Sequence, residues 1–197
     1  MINLTKHILY SISIILLNIY PYSFSPAQTS KIDSLKQVIT TAKHDTTKIK
    51  ALNALARHLI YSNPDTAIIL STQALEMANK AQYQPEIGQS CHNLGYFHYF
   101  KGSYDTALTL YNNALDIWDK LLSINNNQSS IINKKAATLG MLGIFYKTQG
   151  DYPTALDHYR QALEIKKELG DKNGIGTWLG NIGIIYSTQG DFPTALN

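Results

Sequence analysis

The nonapeptide TQGDYPTAL at residues 148–156 returns as TQGDFPTAL at 188–196, a shift of 40 residues. A period of this length means an array of supersecondary units, because one such unit cannot bury its apolar face alone and neighbours must stack to close the core. The likeness extends upstream, where LGIFYKTQG ending at Gly150 matches IGIIYSTQG ending at Gly190. One unit earlier, LGYFHYFKGSYDTAL from Leu94 to Leu108 carries the same pattern at a shift of 48. Threonine-alanine pairs fall at 66–67, 106–107, 154–155 and 194–195, so the intervals are 40, 48 and 40. The polar stretch SINNNQSS, 123–130, is expected to accommodate the extra eight residues. Ala74-Leu75, Ala114-Leu115 and Ala162-Leu163 keep the same intervals.

Each unit reads as two helices. Leu139, Leu142, Phe145 and Tyr146 recur at three- and four-residue spacing, Gly150-Asp151 breaks the run, and Pro153 starts another. Asp151 is a candidate N-cap, with proline tolerated in the first turn because its missing N–H has no helical partner there. Asn63-Pro64 and Asp191 with Pro193 repeat this grammar. In ALDHYRQALEIKKELG, residues Ala155, Leu156, Tyr159, Ala162 and Leu163 share one face, and Lys166 and Lys167 sit where the helix dipole favours cations. Gly170 or Asn173-Gly174 is expected to end that helix. No segment alternates with period two for long enough to predict a strand, so the fold class is all-α. Gly95, Gly143 and Gly183 fall in mid-helix, where each costs ~1 kcal/mol against alanine. Alanine follows twelve residues later, at 107, 155 and 195, which predicts glycine-to-alanine backbone approach with Tyr111, Tyr159, Tyr146 and Tyr186 filling the space around it.

These residues resemble the tetratricopeptide repeat. Its pattern of Leu-Gly, Tyr, Ala, aromatic and Ala is met by Leu142, Gly143, Tyr146, Ala155, Tyr159 and Ala162. Leu94, Gly95, Ala107, Tyr111 and Ala114 meet it again, with His98 replacing the first tyrosine and Tyr99 beside it. Ile182, Gly183, Tyr186 and Ala195 begin a further copy, while the first copy is degenerate, with Leu55-Ala56 for Leu-Gly and Ser71 in the aromatic position. The resemblance implies a right-handed α-solenoid of antiparallel helix pairs, of the variant with longer helices. It divides the chain into a leading segment at 28–45 with a short helix over Ser34–Lys43, a degenerate repeat at 46–84, repeats at 85–124 and 125–172, and a truncated one at 173–197.

Residues 1–27 read differently. Lys6 precedes an uncharged, largely apolar run from Ile8 to Tyr20, which is 13 residues and too short for a bilayer that needs ~20. Ser25-Pro26-Ala27 then presents small residues where a signal peptidase cuts, which predicts a cleaved secretory signal with Gln28 as the new N-terminus. A buried N-terminal helix or an uncleaved anchor is the alternative. No cysteine lies near the cut, so lipoprotein processing is excluded. A signal followed by DSLKQ, SNPDTAIILSTQALEMA and 40-residue repeats also resembles the N-terminal region of exported sensor proteins of the Bacteroidetes. That resemblance implies a periplasmic or periplasm-facing input region, followed by a membrane helix and a histidine-kinase, LuxR-type or cyclase output domain beyond Asn197. A free-standing periplasmic scaffold and the N-terminal part of an enzyme are the other readings. Because Thr194-Ala195-Leu196-Asn197 only starts a helix, the record is expected to stop short of the protein's end.

Composition argues against several chemistries. Seventeen basic and 14 acidic residues give a net charge of +3, without the clustered Lys and Arg of a nucleic-acid surface. The single cysteine, Cys91, forms no internal disulfide or Cys-rich zinc site, has no base placed for it, and reads as a small core residue. The six histidines make no HExxH motif, and His92 and His98 lie six residues apart, on opposite faces of one helix. Gly174-Ile175-Gly176 with Gly180 and Gly183 has no preceding strand and reads as a helix-entry loop rather than a dinucleotide fingerprint. Asn127-Gln128-Ser129 is a glycosylation sequon, relevant only in a eukaryotic host. No catalytic residue, cofactor or metal is expected within these residues.

What remains is a surface for a protein or peptide partner. The first helices of stacked pairs line the concave side, and the register nominates Asn53, Arg57, His92, Tyr96, Tyr99, Lys147 and Asn181 as exposed groove positions. Tyr96 and Tyr99 could equally serve packing between repeats. The Lys and Asn arrangement of chaperone-tail clamps is not recognisable, so no C-terminal carboxylate ligand is expected. Membrane attachment would come only through a missing C-terminal segment.

Overall fold

The computed structural model describes residues 26–125, 128–191 and 195. The signal-like residues 1–25, Asn127 of the sequon, Pro193, Thr194, Leu196 and Asn197 lie outside the described residues. The helices are α1 (Pro26–Thr41), α2 (Asp45–Leu59), α3 (Pro64–Lys80), α4 (Gln84–Phe100), α5 (Tyr104–Ile124), α6 (Ser129–Thr148), α7 (Tyr152–Glu168) and α8 (Lys172–Thr188). No strand occurs among the described residues, and none of these helices is long and apolar enough to cross a membrane.

Consecutive helices pack in order, and the first helices of successive pairs also touch, α2 with α4 and α4 with α6. No comparable packing joins α3 to α5 or α5 to α7 among the described residues. The array therefore curves with α2, α4 and α6 inside, an all-α solenoid. Three of the caps are polar side chains: Asn63 accepts from the Thr66 N–H at 3.0 Å, Asp151 from Thr154 at 3.1 Å and Asp171 from Gly174 at 3.0 Å. Between paired helices the chain turns through a left-handed residue, Gly102 at φ 79° and Gly150 at φ 80°. Gln82, at φ 53°, is the single non-glycine residue in that conformation among the described residues.

Several expectations are corrected in detail. The leading helix runs from Pro26 to Thr41 rather than over 34–43, because proline suits a first helical position and Ile32 is buried beneath it. The extra eight residues are mostly helical, since α5 has 21 residues and α6 has 20 where α3, α4, α7 and α8 have 17. Helix α7 ends before Gly170, and Asn173, Gly174 and Gly176 already belong to α8, so the glycines form no entry loop.

The glycine-to-alanine approach is replaced by glycine under an aromatic ring. A Cβ on Gly95 would stand 2.8 Å from Tyr111, and one on Gly143 would stand 2.5 Å from Tyr159. Only Gly183 of the three faces an alanine, where an added Cβ would stand 3.1 Å from the Ala195 carbonyl oxygen. Ala107 and Ala155 are buried within the same interfaces, and Leu94, Ala114, Leu142 and Ala162 complete the buried signature, with Tyr146, Ile182 and Tyr186 half-buried. The degenerate first pair obeys the same volume rule in reverse, since Ala56 takes the glycine position and the smaller Ser71 takes the tyrosine position, both fully buried.

Candidate functional site

Arg57 on α2, Gln89 and His92 on α4, and Ser130, Asn133, Lys134 and Ala137 on α6 surround an open hollow of about 320 Å³ on the inner face. Its base is Trp118 of α5, a fully buried ring that reaches the groove because Gly88 leaves room: a Cβ there would stand 2.7 Å from the indole. The Lys134 ammonium lies 5.3 Å from the Trp118 ring centroid, and its Nζ is 4.0 Å from Glu86 Oε1. Desolvation pushes the Lys134 pKa below the usual lysine range, against the attraction of Glu86 and with Lys50 and Arg57 adding repulsion.

Thr138 organises the hollow from beneath. Its Oγ1 donates to the Lys134 carbonyl at 3.0 Å, accepts from the Trp118 indole N–H at 3.2 Å and meets His92 Nδ1 at 2.9 Å. A hydroxyl has one proton and two lone pairs, so the assignment that satisfies all three contacts has His92 donating its Nδ1–H. Nε2 is then an acceptor. Burial, with Arg57 and Lys134 nearby, pushes the His92 pKa down to about 4, so the ring is neutral near pH 7.

Asn53 is corrected: it does not face the groove but is buried, 2% exposed, in a polar network under it. Its Nδ2 donates to Ser90 Oγ at 2.9 Å and Glu86 Oε2 at 3.3 Å, and its Oδ1 accepts from Asn93 Nδ2 at 3.2 Å. Because the degenerate pair lacks an aromatic here, α4 supplies polar partners instead, and they draw Asn53 inward. Arg57 is exposed and joins His92 at the hollow.

Tyr96 and Tyr99 form an aromatic row one and two turns further along α4. The Tyr96 hydroxyl bonds that of Tyr61, while Tyr99 bonds Thr148 at 2.7 Å. Tyr61, 64% exposed, makes an edge contact of 5.5 Å with Phe100, which is 48% exposed. Tyr99 stands 5.8 Å from Tyr104 and 6.4 Å from Phe145. Both tyrosines thus tie neighbouring repeats together. Lys147 and Asn181 sit apart from the hollow, where the Lys147 ammonium donates to Asn181 at 3.4 Å, joining α6 to α8.

Sequence reasoning missed Glu86, Lys134 and Trp118. A signal existed, because the 48-residue shift that superposes Gly95 on Gly143 also places Glu86 on Lys134, opposite charges on adjacent inner helices. Cys91 is buried, and burial raises its thiol pKa to about 11. No group of three His, Cys, Asp or Glu side chains that could hold a metal occurs among the described residues.

Hairpins whose first helices line a shared groove, with glycine seated under tyrosine in the second and third, define a helical repeat scaffold. The tetratricopeptide repeat family matches at residues 88–127 and again at 134–197, and the chain is a tetratricopeptide repeat protein. As such it is a scaffold for protein–protein interaction, with a protein or peptide as partner. Comparison with curated proteins gave no match. Among solved structures, BtubC from P. vanneervenii matches at a TM-score of 0.67 and 19% identity, over 86% of this chain and 67% of that one. The Rap protein complexed with Competence and Sporulation Factor matches at 0.73 and 18% identity, over 86% of this chain and 47% of that one. A Signal Transduction ATPase with Numerous Domains from Pyrococcus horikoshii, described as having a tetratricopeptide repeat sensor, matches at 0.68 and 19% identity, over 83% of this chain and 24% of that one. These likenesses establish the fold, and the chain spans under half of the latter two proteins.

Proposed function

We propose that the chain is an exported, non-catalytic scaffold that takes up a peptide segment of a partner in the groove of α2, α4 and α6, as the input region of a longer membrane signalling protein. The observation that carries the binding reading is the convergence of Arg57, His92 and Lys134 on one open hollow, with Tyr96 one turn along α4 from His92 and bonded to the exposed Tyr61. Charged and aromatic side chains together are what interfaces use for binding energy. The Rap relative bound to a factor and the ATPase with a repeat sensor support a sensory use. Residues 1–27, with Lys6, the apolar run and Ser25-Pro26-Ala27, support export.

A photoreactive phenylalanine analogue in place of Tyr96 should crosslink a partner in the native host, whereas the same analogue at the exposed outer residue Asn112 should not. Crosslinking from Asn112 alone would place the interface elsewhere. Export is tested separately by fusing residues 1–60 to a phosphatase active only after translocation. An inactive fusion would refute the signal.

A further inference from the structure

We propose that the hollow between α2, α4 and α6 is a subsite for one carboxylate side chain of an extended peptide, an internal Asp or Glu held by Arg57 and Lys134. This rests on the groove reading above and adds the chemistry of the ligand.

Arg57 is exposed and has no ion-pair partner among the described residues. Lys134 is 27% exposed at its side chain, and its one acidic neighbour, Glu86, is only 4.0 Å away at its nearer oxygen. Glu86 cannot swing out to serve Arg57, because its other oxygen accepts from Asn53 in the buried network. Two cations against one anchored carboxylate leave a single uncompensated positive charge at the mouth. Lys50 does not line the hollow; its ammonium sits over the Tyr83 ring, 5.8 Å from the centroid. One carboxylate completes this balance, and a phosphate dianion exceeds it.

His92 is neutral and, through its bond to Thr138, presents Nε2 as an acceptor. A peptide supplies the matching donor, since every residue but proline has a backbone N–H beside its side chain. A free anion without an O–H, such as sulfate, does not. The aromatic rim then adds a spacing rule. Tyr96 follows His92 by one turn on α4, about 6 Å along the helix, and its hydroxyl bonds that of Tyr61 in the turn after α2. An extended chain covers that distance in about two residues. The preferred ligand carries an apolar or aromatic residue two positions from its acid.

The test uses the full chain and fluorescent peptide pools with acetylated and amidated ends, so that no terminal carboxylate competes. The pools are identical except for a central Glu, Gln, Lys or phosphoserine, with Phe or Leu two positions away on either side. The Glu pool should bind about tenfold tighter than the Gln pool. Arg57→Glu, at an exposed position, should transfer the preference to the Lys pool. Lys134→Gln should erase the preference for Glu while leaving the melting temperature near that of the parent. Equal binding of the Glu and Gln pools, with amide shifts confined to the inner helices, would overturn the carboxylate subsite and leave the groove standing. Tighter binding of the phosphoserine pool would overturn it in favour of a phosphate site. No shift on α2, α4 or α6 with any pool would overturn both readings.

Discussion

Gly95 on α4 lies against the ring of Tyr111 on α5, so closely that a methyl group on the glycine would stand 2.8 Å from a ring carbon. Alanine is worth ~1 kcal/mol more than glycine within a helix, yet the clash reverses that sign. Gly95→Ala and Gly143→Ala should each destabilise the array by ~1–3 kcal/mol. Gly176→Ala, on an exposed part of α8 with nothing within 4 Å, should stabilise it by up to ~1 kcal/mol. Thermal melts of the three variants check this, and equal shifts would remove the packing explanation.

The turn between α3 and α4 uses Gln82 at φ 53° where later turns use Gly102, Gly150, Gly170 and Gly190. A side chain in that conformation costs roughly 1–2 kcal/mol, partly offset by the greater freedom of glycine in the unfolded chain. Gln82→Gly should therefore gain about 0.5–1 kcal/mol in a urea titration. A loss would mean that the glutamine side chain makes a compensating contact.

The buried network predicts a larger effect. Removing the Asn53 amide leaves Ser90, Asn93 and the Glu86 carboxylate short of partners. Asn53→Ala should cost roughly 2–4 kcal/mol by chemical denaturation. A cost within ~0.5 kcal/mol, the range for surface positions, would return Asn53 to the groove.

His92 gives the fold a directional response to acid. Its folded pKa of about 4 is below the ordinary histidine value of 6.5, so the unfolded chain binds the extra proton first as pH falls. Stability contributed by the neutral ring is complete above about pH 6.5 and is lost as pH falls toward 4, by at most about 3 kcal/mol. His98 and His158, whose pKa values burial also lowers, act in the same direction. Melting temperatures between pH 7 and 4 should fall less steeply for His92→Asn than for the parent. Parallel slopes would contradict the neutral, Thr138-bonded ring.

Much of this fold is legible in the chain, because local rules and the repeat agree. Asn63 and Asp151 cap helices where their spacing from proline says they should, and Gly150 ends α6. What escapes a reading of one unit is contact between units. The register puts Asn53 on the concave side, but Ser90 and Asn93, 37 and 40 residues away, bond it below the surface. Trp178 of α8 packs on Gly140 of α6, skipping a whole helix, so the glycine's role cannot be seen within its own hairpin. The hollow has the same origin: three helices of three different units supply Arg57, His92 and Lys134, and only their stacking brings them together.

The central claim is that a peptide binds the inner face through the Arg57–Lys134 hollow. Amide chemical-shift mapping of the full chain with the Glu-containing peptide pool tests it most directly. The account predicts saturable shifts centred on Arg57, His92, Tyr96 and Lys134, weakened at least about tenfold when Gln replaces Glu. Shifts centred instead on α3, α5 and α7, or none at all, would contradict it.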